Sequence, residues 1–234
     1  MAAPAYWAVV PAAGIGKRMG ESIPKQFLAL GKQTVLEHSL ESLWNGVDLK
    51  GLVLVSEGHP ALASILEHYR EHCMLRVAGG RQRCHSVLNG LNALAGKADK
   101  DDWVLVHDAA RPCVRQQDLK QLCSQLAHHK VGGLLGIPAR DTMKRATADF
   151  RVENTVERAG LWHAYTPQMF RYELLRTALD TAISDGFEVT DEASAVEHAG
   201  QRPLMVEGHA DNIKITRPED LPLAEFFLRQ QGRL

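Results

Sequence analysis

Val9-Val10-Pro11-Ala12-Ala13-Gly14-Ile15-Gly16-Lys17-Arg18-Met19-Gly20, with Pro24-Lys25-Gln26-Phe27 close behind it, decides how this chain is read. The apolar run Tyr6 to Val10 predicts a buried strand. It empties into a loop with three glycines and two alanines, and then into the cations Lys17, Arg18 and Lys25. Glycine lets a backbone turn at φ > 0 and come close to a ligand. Successive backbone N–H groups in such a turn make a concave anion site. Lys and Arg then add full positive charge where a polyphosphate would sit. The stretch reads as a triphosphate cradle at the end of the first strand of an α/β sheet. A plain glycine-rich turn is the competing reading.

Two familiar glycine loops do not fit. A dinucleotide fingerprint needs G-x-G-x-x-G, but after Gly14 and Gly16 the third position is Met19, and Gly20 comes one residue late. A P-loop needs G-x-x-x-x-G-K-[ST], but Arg18 follows Gly16-Lys17, and Pro11 stands where the first glycine belongs.

At 234 residues the chain is long enough for one large α/β domain with a substantial core. Its 27 basic and 28 acidic residues leave a net charge of −1, which argues against a general nucleic-acid binder. No apolar run approaches the ~20 residues of a membrane span, and no signal peptide is visible. Cys73, Cys84, Cys113 and Cys123 form neither a C-x-x-C pair nor a zinc spacing, so reduced thiols in the cytoplasm are expected. His128-His129 reads as a helix C-terminal turn, not a metal site.

Strand and helix patterns alternate along the chain. Helices are expected over 34–44, 60–72, 86–94, 117–128, 172–183, 191–198 and 218–231. In the last of these the expected apolar face includes Leu221, Leu223, Ala224, Phe227 and Leu228. Strands are expected over 6–10, 52–55, 75–78, 103–106, 133–137, 203–206 and 213–215. The alternation implies a mostly parallel, doubly wound sheet, in which ligands bind beyond the carboxyl ends of the strands. The segment 138–169 breaks the rhythm. Strand-like stretches at 141–145 and 152–158 flank the turn-prone Ala148-Asp149, so a projecting β-hairpin arm is expected. A long two-stranded hairpin is marginal alone, and a second subunit is a natural surface for it.

Three candidate sites fall at strand ends: after Val10, after Ala78 and after Val106. At the third, Asp108 can hold a divalent metal through oxygen, and Arg111 offers a planar fork for a phosphate. Asp108 capping the next segment and pairing with Arg111 is the alternative. At the second, Gly79-Gly80 precede a helix start that suits a base edge or a phosphate. Ser86 is either part of that site or only a helix-start hydroxyl. Lys214 sits within the expected strand at 213–215 and either meets an anionic ligand or reaches solvent along its stem. Neither a G-x-S-x-G elbow nor a catalytic cysteine signature occurs. Cations, backbone amides and one well-placed Asp suit phosphoryl or nucleotidyl transfer.

Taken in order, P-A-A-G-x-G-x-R-M-G-x-x-x-P-K-Q-F (Pro11 to Phe27), G-G-x-x-R-x-x-S-V (Gly79 to Val87), V-H-D-A-A-R-P (Val106 to Pro112), T-P-Q-x-F (Thr166 to Phe170), T-D-E-A (Thr190 to Ala193) and N-I-K-I-T-x-P-E-D-L (Asn212 to Leu221) resemble the 2-C-methyl-D-erythritol 4-phosphate cytidylyltransferases. The resemblance runs over nearly the whole chain and looks like the stand-alone enzyme. It implies a Rossmann-like nucleotidyltransferase sheet over residues 1–234, a dimerisation arm within 138–169, and transfer of CMP from CTP to methylerythritol phosphate with Mg²⁺. It implies a cytoplasmic homodimer with neither nucleic acid nor membrane as partner. Pro11, Ala12, Ala13, Gly14, Gly16, Gly80 and Ser86 match the nucleotide side. Arg18, Lys25 and Lys214 match the catalytic cations, and Asp108 the residue near metal and sugar. Arg111, Thr142, Thr166 and Thr190 match the substrate side, and Arg158 an arm residue that reaches the neighbouring subunit's site. A nucleotidyltransferase for a different sugar phosphate such as ribitol 5-phosphate, and a non-catalytic nucleotide-binding or redox module, are the rival readings.

Overall fold

Most inner strands of the central sheet are apolar on both faces, and the chain builds a layer of helices against each face. The computed structural model describes residues 4–14 and 23–234. β1 (Tyr6–Pro11) is followed by a short 3-10 turn at Lys25–Phe27 and a small hairpin of β2 (Ala29–Leu30) and β3 (Gln33–Thr34). α1 (Val35–Gly46) starts where Thr34 and Glu37 cap each other reciprocally: Thr34 Oγ1 accepts from Glu37 N at 3.2 Å, and Glu37 Oε2 accepts from Thr34 N at 2.7 Å. β4 (Leu49–Val55), α2 (Ala61–His68), β5 (Met74–Val77), α3 (Arg83–Asn92), β6 (Trp103–Val106), α4 (Gln116–Leu126) and β7 (Gly132–Pro138) continue the alternation. Then come the hairpin of β8 (Met143–Ala146) and β9 (Val152–Val156), the long β10 (Trp162–Arg171), α5 (Tyr172–Ser184), α6 (Glu192–His198), β11 (Leu204–Glu207) and α7 (Asp220–Gln230).

The seven-stranded sheet runs β11-β7-β10-β6-β1-β4-β5. β10 is antiparallel to both its neighbours, and the other described pairings in this sheet are parallel. The period of two along each strand sorts the core. Ala8, Val10, Leu52, Leu54 and Leu105 pack with α1, α2 and α4, while Trp7, Val9, Val53, Val55 and Val106 pack with α3, α5 and α6. α7 closes a smaller cluster with Leu30, Val35, Cys113 and Ile215. The fold is thus the expected doubly wound, mostly parallel α/β sheet with a projecting hairpin. No helix among the described residues is long and apolar enough to cross a membrane.

Several boundaries differ from the sequence reading, each for a local reason. The helix expected over 60–72 stops at His68, because the chain must turn for the Cys73 carbonyl to receive Leu52 N at 2.8 Å. α3 begins at Arg83 instead of Ser86; Ser86 closes its first turn, donating from N and Oγ to the Gln82 carbonyl at 3.1 and 3.2 Å. α4 ends before His128-His129, where His129 Nδ1 accepts from Val131 N and Gly132 N and turns the chain into β7. Residues 213–215 are not a strand: this segment is a strap tied to the 106–112 loop, with Ile215 N donating to the Ala110 carbonyl at 2.8 Å. Within α7, Ala224 and Leu228 are buried but Leu223 faces solvent. The arm expected over 138–169 is shorter. The hairpin covers β8 and β9, while residues from 162 onward return into the sheet as β10.

The seating of α3 matters to function, because the N-terminal end of this helix walls a cavity at the sheet edge. α3 lies close to the sheet at Gly90, where a Cβ would meet Val9 Cγ1 at 2.5 Å and Val55 Cγ2 at 2.9 Å. Helix propensity favours Ala over Gly by ~1 kcal/mol, but forcing a methyl against fully buried valines costs about 1–3 kcal/mol. Gly90→Ala is therefore expected to destabilise the protein by about 1 kcal/mol. Urea unfolding checks this, and a variant more stable than wild type would show that α3 is not seated as tightly as its distances say.

Candidate functional site

The three strand ends singled out in the sequence open onto one cavity of about 380 Å³ at the carboxyl edge of the sheet. Pro11, Ala12, Ala13 and Gly14 come from the end of β1; Gly80, Arg81, Gln82, Arg83 and Ser86 from the β5–α3 turn; Asp108, Ala109 and Ala110 from beyond β6. Lys25 and Gln26 line it from the 3-10 turn, and Lys214 from the strap. This volume lies in the range of small-molecule sites.

Its floor is set by short hydrogen bonds. Ala12 N donates to the Val55 carbonyl at 2.7 Å, continuing the β1–β4 ladder past the last strand residue. Gln26, almost wholly buried, donates from Nε2 to the carbonyls of Ala12 and Gly14 at 2.6 and 3.0 Å. One side chain thus fixes the backbone at Ala12 and Gly14 and ties it to the segment carrying Lys25. Lys25 Nζ donates to the Ile215 carbonyl at 2.8 Å, which links the 3-10 turn to the strap. Across the cavity, Gly80 N donates to Ser86 Oγ at 2.9 Å. Gly80 has no room for a side chain, since a Cβ would stand 2.4 Å from that of His85. Ser86 is therefore more than a helix-start hydroxyl: it locks the glycine turn against α3.

Asp108 is the one carboxylate among the described lining residues, and cations surround it. Arg83 Nε donates to Oδ1 at 2.9 Å, Lys214 Nζ lies 2.8 Å from Oδ2, and Arg111 Nε stands 3.8 Å from Oδ2. Burial alone would raise its carboxyl pKa, but Arg83, Lys214 and Arg111 more than reverse this and hold it well below the usual carboxylate range. Arg83 is in turn gripped from behind. Its Nη1 and Nη2 donate to the two oxygens of Glu192 at 2.6 and 3.1 Å, and Glu192 is fully buried. Counting Lys25, Arg81, Arg83, Arg111 and Lys214 against Asp108 and Glu192, these described residues leave three positive charges uncancelled, which suits a polyanion.

Beneath Asp108 lies a closed hydrogen-bond circuit. His107 Nε2 is 3.0 Å from the Arg111 carbonyl, which can only accept, so that nitrogen carries the proton. Nδ1 then accepts from the Thr166 hydroxyl at 3.0 Å, and Thr166 Oγ1 accepts from Asp108 N at 3.1 Å. His107 must be neutral for this, and full burial depresses its pKa to about 4. Asn212 completes the joint. Its Nδ2 donates to the Thr166 carbonyl at 2.9 Å, and its own carbonyl accepts from Arg111 Nη1 at 2.7 Å. Arg111 also lies over the Tyr165 ring, 4.8 Å from its centroid.

The structure therefore gathers Pro11, Ala12, Ala13, Gly14, Lys25, Gly80, Ser86, Asp108 and Lys214 around one space. Gly16 and Arg18 lie outside the described residues. Arg111 and Thr166 are buried beside and beneath Asp108 and do not line the cavity. Thr142, Arg158 and Thr190 are exposed and lie away from its lining; Arg158 Nη1 donates to the Arg140 carbonyl on the arm. Sequence reasoning leaves out Gln26, Arg83, His107, Glu192 and Asn212 as site residues, although each stands inside one of the motifs. Nothing local shows that an Arg, a Glu 109 positions later and an Asp will share charges.

Residues 6–230 match the family model for 2-C-methyl-D-erythritol 4-phosphate cytidylyltransferase. The Pseudomonas entomophila protein of that name is 54% identical, with 97% of this chain and 96% of that one covered. The Vibrio vulnificus protein is 48% identical over 96% and 94%. The crystal structure of the Francisella tularensis enzyme of the same name superposes with a TM-score of 0.80 at 34% identity, covering 96% of this chain and 100% of that one. With a match of this length and the same sheet beneath it, the chain belongs to the 2-C-methyl-D-erythritol 4-phosphate cytidylyltransferase family.

Proposed function

We propose that this enzyme transfers CMP from CTP to 2-C-methyl-D-erythritol 4-phosphate, releasing pyrophosphate and forming 4-diphosphocytidyl-2-C-methyl-D-erythritol for isoprenoid biosynthesis. One observation carries the reading beyond family membership. Residues 12–14 after β1, Lys25, the Gly80–Ser86 lock and the Asp108–Lys214 pair all face one cavity with surplus positive charge. The β1 turn and Lys25 receive the triphosphate, and Gly80 and Ser86 receive the cytosine end. Asp108 and Lys214 face the sugar phosphate. A phosphate oxygen of the acceptor attacks the α-phosphorus in line, and pyrophosphate leaves from the opposite side. Lys25 and Lys214 meet the charge that builds during transfer, joined by Arg18. No covalent enzyme intermediate is required, since positioning and charge stabilisation supply most of the catalysis in this chemistry.

Magnesium would enter with the triphosphate. The donor set suits that: the described lining residues offer one carboxylate, and the described residues hold no cluster of three or more metal-ligating side chains. Mg²⁺ is commonly held by one or two carboxylates plus substrate phosphates, so Asp108 would be its protein ligand. Bound there, the ion supplies neutralisation of phosphate charge.

The enzyme works as a cytoplasmic homodimer in this reading. What supports the dimer is the hairpin itself. Met143, Phe150 and Val152 on it are 36%, 92% and 63% exposed, and a two-stranded hairpin is marginal without a surface to rest on. A partner subunit provides that surface, and Arg158 reaches across it to the sugar-phosphate side of the neighbouring site, the side to which Thr142 and Arg111 also belong.

Pyrophosphate release from CTP and methylerythritol phosphate tests the activity. Release that requires both substrates, and that ribitol 5-phosphate does not support, is expected; turnover of ribitol 5-phosphate instead would reassign the substrate. Lys25→Ala should lower kcat by at least ~100-fold, the scale of losing one oriented charge stabiliser. Near-normal turnover would remove Lys25 from the catalytic set. The composite site is tested by complementation. Arg158→Ala and Lys25→Ala chains, each inactive, are mixed under conditions that exchange subunits. Recovered activity is expected, because a mixed dimer assembles one site with both residues intact. A demonstrated mixed dimer that stays inactive would refute sharing across the interface.

A further inference from the structure

Glu192 is a carboxylate set wholly inside the protein. It is the first residue of α6, it is fully buried, and it does not line the cavity. Both its oxygens go to one guanidinium, that of Arg83, which does line the cavity and whose Nε holds Asp108 Oδ1. Its platform is rigid. Asp191 caps α6 through Ser194 N at 2.8 Å, and Gln168 of β10 grips the same turn, accepting from Ala193 N at 2.8 Å and donating to Asp191 Oδ2 at 2.9 Å. α6 is thus bolted to the sheet, and Glu192 projects from it as a fixed carboxylate.

A buried ion pair is weak support for stability, because desolvation offsets most of its attraction. Its strength is geometric: a bidentate Arg–carboxylate pair fixes the guanidinium plane. We propose that Glu192 is a positioning residue for the transfer reaction, acting wholly through Arg83. With Glu192 in place, Arg83 can spare only Nε for Asp108. It takes Oδ1 and leaves Oδ2 to Lys214 at 2.8 Å. Without Glu192, the freed Nη groups of Arg83 can turn onto Asp108 and take both oxygens, displacing Lys214 from its post. Glu192 thereby shares out the cations around Asp108. This role rests on the cytidylyl-transfer reading of the site.

The test is a double-mutant cycle on kcat/KM for the sugar phosphate, read by pyrophosphate release at saturating Mg·CTP. Glu192→Gln should lower it ~10- to 100-fold, the scale of misplacing a reacting group by a fraction of an ångström to an ångström. In an Arg83→Gln background the same change should cost less than about twofold, since the residue it acts through is gone. A double variant whose loss equals the product of the two single losses overturns the proposal, as does a Glu192→Gln enzyme with wild-type kinetics. Thermal melting supplies a separate readout. The double variant should be at least as stable as Arg83→Gln, because it removes a buried carboxylate left without its partner. Should Glu192→Gln fail to fold, Glu192→Asp replaces it in the same cycle: a smaller loss is expected, again abolished by Arg83→Gln, and a persisting loss overturns the proposal. Wild-type protein that releases no pyrophosphate would defeat the functional reading itself; active wild type with additive losses would defeat only the role of Glu192.

Discussion

The charge on Asp108 is the constraint around which this edge of the molecule is arranged. A buried carboxylate carries a desolvation cost of several kcal/mol unless cations and donors surround it. Here the cations come from separate parts of the chain: Arg83 from the start of α3, Arg111 from the same loop, Lys214 from the strap. Each brings a segment with it. Arg83 brings the Gly80 turn, held by Ser86. Lys214 brings the strap, whose Ile215 carbonyl receives Lys25. Satisfying one anion therefore draws the walls of the cavity toward a common centre. The backbone below is fixed by the His107–Thr166 circuit, so Asp108 cannot move to suit its partners; they must come to it.

That convergence depends on the sheet. Strands with apolar residues on both faces can only be buried in the middle of a layered domain, and their carboxyl ends then share one edge. β6 and β1 are neighbours, and β4 and then β5 follow in parallel on the other side of β1, so the loops after β6, β1 and β5 open on the same edge. The antiparallel β10 adds what a purely parallel sheet would not. It runs back between β6 and β7 and sets Thr166 under Asp108 N and Gln168 against the start of α6. One strand of reversed direction thus supports both the aspartate loop and the helix that carries Glu192.

Much of this is legible in the sequence, and the limits are physical. Alternation of apolar runs with helical stripes points to the layers and the hairpin, because both depend on local periodicity. Boundaries slip where a distant partner decides them: α2 stops short because of a bond from Leu52 to the Cys73 carbonyl, and 213–215 is drawn off as a strap by Ala110. Periodicity assigns most of β10 to the arm, because nothing in T-P-Q-x-F announces an antiparallel partner on each side. At the site, the glycine pattern reveals residues that touch the cavity through backbone or short side chains. It does not reveal those that act by holding other residues, such as Gln26, His107 and Asn212. Their partners lie up to 101 positions away, and a hydrogen bond leaves no mark on spacing.

The balance of charge at this edge also explains how a site can be ready for a polyanion without collapsing in its absence. Four cations close to one another would repel strongly at low dielectric. Asp108 and Glu192 hold Arg83, Asp108 holds Lys214, and Lys25 rests on a carbonyl. Arg111 rests on the Asn212 carbonyl, so each of these four cations already has an oxygen partner at a defined place. In the proposed reaction a triphosphate would exchange oxygen for oxygen instead of ordering loose side chains, so little conformational entropy would be lost on binding. Charge developing in the proposed transfer would meet donors fixed beforehand, which is where electrostatic catalysis has its effect. The surplus of positive over negative charge at this edge is small. It is enough to favour a polyanion, and the two internal carboxylates keep it from pushing the walls apart.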